Sequence, residues 1–237
     1  MITASWVLLV LIAVNDVSPT IAFIEAICAS SGAVTDGELM GMWTLMLGAM
    51  MLPTFRAHVA VHQDIRRNDC YPSHSFMLIL GFLSVWMLFV PLGAFSQKAF
   101  FDLGFLDSSG RNASLAGNGI LLIVAGLYQF SELKRACMTR CASPMHYFFQ
   151  NWRDHHIGAL RMGLHLGLLC VGCCWALMAL AFVGGTMNVL WMAVLTALMI
   201  FDKQLFFNED RLNIVGWTLL GSGLLVLLIA TILEVIV

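Results

Sequence analysis

Arg161–Met178 reads RMGLHLGLLCVGCCWALM and carries Cys170, Cys173 and Cys174, three of the chain's seven cysteines, inside an apolar run. Residues three and four apart share a helix face, so Cys170 lies beside both Cys173 and Cys174. Gly163 and Gly167 extend that stripe one and two turns earlier, and Met178 extends it one turn later. Leu, Val and Trp surround it. A second helix can approach such a small-residue face closely. A soft ion can also find ligands there, because thiolate and thioether sulfur select Cu(I) among common metals. Free Cys is also a small hydrophobe suited to helix contacts, and packing alone accounts for the same three residues.

Outward from this stretch the whole chain has the same character. Its 237 residues are 60% hydrophobic and 11% charged, with a mean hydropathy of +0.87. Those values predict an all-α, polytopic transmembrane helix bundle forming a single integral membrane domain over residues 1–237. The net charge of −2 offers nothing to nucleic acid. Fifteen methionines are several times an ordinary soluble share, part of it simply membrane composition. Met1–Val14 has no positive n-region and no small-residue cleavage site before Asn15, so the first helix is expected to act as an uncleaved signal anchor.

Runs of about 20 apolar residues predict seven spans. The first, about Thr3–Cys28, carries Asn15, Asp16, Pro19 and Glu25. An acid at membrane depth marks a site by default, whereas a wet loop, Asn15–Pro19, between a short helix and an interfacial one explains the same residues. The second span, about Gly37–His58, includes Met50 and Met51 and leaves the membrane as a polar helix. His58 and His62 there share a face, a spacing that suits two imidazole ligands to one ion and equally suits two solvated histidines. The third and fourth spans are about His74–Phe95 and Leu115–Phe130. The polar segment YQFSELKRACMTRCASP follows, with Cys137 and Cys141 one helical turn apart among Lys134, Arg135 and Arg140. Nearby cations lower a thiol pKa, which favours metal binding or redox use; a reduced, unliganded surface pair is the plain alternative. A short interfacial helix is expected around His146–His156, before the fifth span, about His156–Gly184. A Gly-Gly-Thr turn leads to the sixth span, about Met187–Phe206, ending in Asp202-Lys203, and an aliphatic seventh follows, about Ile214–Ile236.

Loop charge checks the span count. One side collects ten cations (Arg56, Arg66, Arg67, Lys134, Arg135, Arg140, Arg153, Arg161, Lys203, Arg211) and the other only Lys98 and Arg111. By the positive-inside rule the cysteine-rich loop and the N-terminus face the cytoplasm and the C-terminus faces the periplasm of a bacterial inner membrane.

Three segments together, Met42–Pro53, Leu127–Pro144 and Trp152–Met192, resemble an uncharacterised bacterial family of predicted metal-binding integral membrane proteins, some labelled copper chaperones. The resemblance covers roughly two thirds of the chain and implies a class and not a reaction. It implies Cys137, Cys141, Cys170, Cys173 and Cys174 as ligands, with Met50 and Met51 as outer candidates. Two positions depart from the family pattern. A His expected just before Gly167 is Leu166 here, with His165 one place earlier, and an expected Glu-Lys pair is Asp202-Lys203.

The leading expectation is a copper-binding membrane protein that handles or delivers Cu(I), among lipid and other membrane subunits. The alternative is an accessory structural subunit of a membrane oxidoreductase or monooxygenase complex. Seven histidines are too few for a dinuclear iron enzyme by the usual motif count. Along a straight fifth helix the surface pair and the buried three stand about 20 Å apart, which makes them two sites unless the loop folds inward.

Overall fold

Glycine positions decide which helices meet. In the computed structural model, which describes residues 36–65, 73–107, 110–153, 155–186, 188–205 and 213–236, the described chain is helical apart from one isolated bridge, Leu106 to Asn112. The helices are α1 (Asp36–Ile65), α2 (Ser73–Asp102), α3 (Leu115–Gln129), α4 (Glu132–Ala142), α5 (Pro144–Asn151), α6 (His156–Ala179), α7 (Ala181–Gly184), α8 (Val189–Leu205) and α9 (Ile214–Ile236).

The stripe of small residues on α6 meets α2. A Cβ at Gly163 would collide with the carbonyl oxygen of Leu78, and one at Gly81 would collide with that of Leu160. Gly167 sits against Val85 and the Phe82 carbonyl. Backbone therefore lies on backbone, and dispersion contacts run along a long seam. A second glycine seam, Gly119 and Gly126 against Gly223 and Leu220, joins α3 to α9. At one end of the bundle a buried polar chain ties the elements together. Trp43 Nε1 donates to Gln97 Oε1 (2.9 Å), and Gln97 Nε2 donates to Thr186 Oγ1 (3.1 Å). Gln97 is fully buried, so its two hydrogen bonds are what make that position tolerable.

Four helices are long and apolar enough to cross a membrane: Leu39–Ile65, Ser73–Asp102, His156–Gly184 and Ile214–Val235. They coincide with the second, third, fifth and seventh expected spans. The fourth and sixth form helices of 15 and 17 residues, rising about 22 and 26 Å at 1.5 Å per residue against a hydrocarbon core of about 30 Å. The expected first span, with Asp16 and Glu25, lies outside the described residues. The expected short helix before the fifth span is α5, which buries Tyr147 and Phe148 and exposes Met145 and Phe149.

Candidate metal centre

The shortness of α3 creates the site. Its Tyr128 hydroxyl donates to the carbonyl of Gly172, so α3 ends beside the middle of α6, about 24 Å from the start of that helix. The chain turns there, and α4 begins at that depth, capped by Ser131, whose side chain accepts from Lys134 N at 3.2 Å. The helix then lies across α6. Lys134, Met138 and Cys141, at positions i, i+4 and i+7, form its buried face.

Cys141 thereby reaches the buried cysteines. Its Sγ is 3.8 Å from that of Cys173, and Cys170 and Cys174 are 3.9 Å apart. The ligand atoms of Cys141, Cys170 and Cys173 all lie within 4.8 Å of one another, the one such group of three or more among the described residues. Met51 Sδ is 4.0 Å from Cys174 Sγ. A void of about 10 Å³ sits at this focus, lined by Met51, Met138, Cys170, Cys173, Cys174 and Met199, with Asp202 and Lys203 at its polar side. The separation of two sites by some 20 Å is thus corrected. That distance assumed a loop beyond the end of the fifth helix, whereas the short α3 lets α4 fold against its middle.

The spacing fits a metal. Three sulfurs around one ion at a metal–thiolate length of about 2.3 Å stand about 4.0 Å apart in a plane. The Cys141–Cys173 separation of 3.8 Å already matches that, and the other two separations in the group are within 4.8 Å. Four thiols and three thioethers form a soft donor set, which suits Cu(I) better than ions preferring nitrogen or oxygen. Two of the thiols also have a partner on their own helix. Cys174 Sγ and Cys173 Sγ lie 2.7 and 3.2 Å from the carbonyl oxygen of Cys170, the usual back-bond of a small polar side chain on a helix.

Not every expected ligand joins the cluster. Cys137 is half-buried and lies over Gly172, whose missing side chain makes room for its sulfur. Its thiol is raised because burial outweighs the Arg140 guanidinium. This corrects the expectation that surrounding cations lower it. The Cys141 thiol, eased down by Cys170, is pushed up overall to about 12 by Cys173 and by burial. Met51 is at the focus; Met50 is fully buried but lines no part of the void. His58 and His62 take different surroundings. His62 Nδ1 is 3.2 Å from Ser75 Oγ and its ring lies between Phe148 and Trp152. His58 stacks on Phe55 and faces a second, adjoining cavity. His165 points to the Tyr147 hydroxyl, 3.1 Å away, and not to the sulfurs.

The sequence reading missed Met138, Met199 and Lys203 at this place. Met138 stands three before Cys141 and Met199 four before Lys203, the same-face spacing already used for the cysteines. Asp202 pairs across the bundle with Lys134 at 2.5 Å, both nearly fully buried, so Asp202 and Lys203 do not pair with each other.

Residues 40–226 match the family model PpoB2, described as copper chaperone. No curated protein and no solved structure matches the chain. The matched region takes in every sulfur that lines the focus, and the chain belongs to the PpoB2 copper chaperone family.

Proposed function

We propose that this protein is an integral membrane copper chaperone that holds Cu(I) at Cys141, Cys170, Cys173 and Cys174, with Met51, Met138 and Met199 as outer sulfurs, and passes it to a membrane partner. The convergence of Cys141 with the α6 cysteines carries the reading. Sulfurs kept only for packing need not share a focus, and these arrive from two helices 29 to 33 residues apart in sequence. Membrane placement is supported by four apolar helices of spanning length and by broad exposed apolar surface such as Leu88, Leu190 and Val235.

We place the cysteine-rich end in the cytoplasm, the C-terminus in the periplasm of the bacterial inner membrane, and seven spans in the whole chain. The ten-to-two cation bias supports this, as does the pairing of Lys98 with Asp36, which puts both at the opposite end. Of the four long helices, α9 is the least buried. Its bare face, including Trp217, Leu224 and Leu228, favours lipid or a neighbouring subunit, so residence in a larger complex is compatible with copper handling.

Elemental analysis and chelator competition on the purified, reduced protein test the function. One equivalent of copper, bound as Cu(I), is the expected result; a protein that keeps no copper under these conditions overturns it. The affinity should also rise with pH. Each thiolate used releases a proton, and Cys141 holds its proton well above neutrality. A site using two thiolates is expected to gain roughly 100-fold in apparent affinity per pH unit between pH 6 and 8. A pH-independent affinity would mean that neutral sulfur alone holds the ion.

A further inference from the structure

Beside the sulfur cluster lies a second, larger cavity of about 320 Å³, lined by Pro53, Thr54, His58, Cys141, Ile200 and Lys203 among others. It is framed by the later half of α1, the end of α4 and the end of α8. Two of its polar groups are unspent. Both ring nitrogens of His58 are buried without a hydrogen-bond partner, in a residue only 2% exposed. The Lys203 ammonium is likewise buried without one. Its neighbour Asp202 offers no compensation, being held by Lys134. A buried cation with no partner is costly and persists where something of opposite charge completes it. Lys203 lines this cavity and also the void among the sulfurs, and Cys141 belongs both to this lining and to the group of three converging thiols. The two spaces therefore share Thr54 and Lys203, and Cys141 stands on the wall of the larger one within reach of the α6 thiols.

Resting on the reading of the protein as a Cu(I) carrier, we propose that this cavity is an anion-accepting vestibule that receives Cu(I) as a negatively charged bis-thiolate complex of a small thiol, and delivers it through Cys141 to the cluster. Lys203 attracts and neutralises the complex. A ring nitrogen of His58 grips the ion while its ligands change. Cys141 replaces one incoming thiolate and a cysteine of α6 replaces the other. The exchange balances without redox change: [Cu(SR)2]− and two protein thiols give the protein bis-thiolate cuprate and two RSH, the protein protons leaving on the departing sulfurs. The bound unit retains a single negative charge, which Lys203 offsets.

The test compares two donors with the full-length protein in detergent, under reducing, oxygen-free conditions. One donor is the anionic Cu(I)–glutathione complex; the other is the cationic Cu(I)–acetonitrile complex. Uptake is followed by the near-ultraviolet absorbance of Cu(I)–thiolate bonds. Lys203→Gln is expected to slow uptake from the anionic donor at least tenfold and to slow uptake from the cationic donor at least fivefold less than that. Lys203→Arg, which keeps the charge, should restore the anionic rate. His58→Phe should slow uptake from both donors while the final copper content stays the same. Removing an unpaired buried charge does not weaken the fold, so the Lys203→Gln protein remains assayable. Parental rates from the anionic donor in Lys203→Gln, or equal slowing from both donors, overturn the vestibule and leave the copper site standing. A parent that binds no copper from either donor overturns the carrier function itself.

Discussion

Replacing Cys170 and Cys173 together with serine is expected to abolish stoichiometric Cu(I) binding, with apparent affinity falling by more than about 100-fold. Loss of groups that merely orient ligands costs 10- to 100-fold in metal affinity, and loss of the ligands themselves costs more. The two thiols belong to the same tight group as Cys141, and serine oxygen is a poor donor to a soft ion. Cys141→Ser alone should produce much of the same loss, because it removes the one thiol that α4 contributes to the focus. Cys137→Ser is the informative contrast. That sulfur sits half-buried over Gly172, away from the focus, and its replacement should leave affinity within twofold. Titration of each variant against a Cu(I) chelator reads all three. Parental affinity in the double variant would reduce the cluster to packing, as in an accessory subunit whose cysteines only fill space.

Gly163→Leu should cost the protein its fold. Even a single carbon at that position runs into the carbonyl of Leu78, and the obstacle is backbone, which cannot rotate away. Overpacking a tolerant core typically costs 1–3 kcal/mol; here α2 and α6 must separate along their seam, and more than about 3 kcal/mol is expected. Thermal unfolding in detergent, followed by helical circular dichroism, should show a large fall in Tm or no folded protein. Gly221→Leu provides the control. A Cβ there meets nothing within 4 Å, and leucine is the better helix former, so Tm should hold or rise. Three cysteines of the cluster lie on the same helix, one to two turns beyond Gly167 and two to three beyond Gly163. Separating α2 from α6 would therefore scatter the sulfurs as well, and copper binding should fall with stability in the glycine variant.

The helices, the polar segment Tyr128–Pro144 and the five cysteines were readable because apolar composition and the 3.6-residue period are local properties. The α6 stripe of Gly163, Gly167, Cys170 and Cys174 could be read as one face from spacing alone, as could its closeness to another helix. Which helix filled it could not, because nothing in the spacing of Gly81 distinguishes it from other glycines in apolar runs. The histidines show the opposite limit. His58 and His62 share a face by arithmetic, yet one meets Phe55 and the cavity while the other meets Ser75, Phe148 and Trp152. A common face is not a common neighbour once several helices pack around it.

By itself, then, the sequence determined that this is a helical, lipid-suited chain with sulfur at two places and cations gathered on one side. Only the tertiary structure decided that the two places are one. The physical reason is a length: α3 has 15 residues and meets Gly172, so α4 turns back at the level of Cys170–Cys174, and Cys141 arrives within 3.8 Å of Cys173. Spacing along a chain measures contour, whereas ligand geometry depends on where a short helix stops.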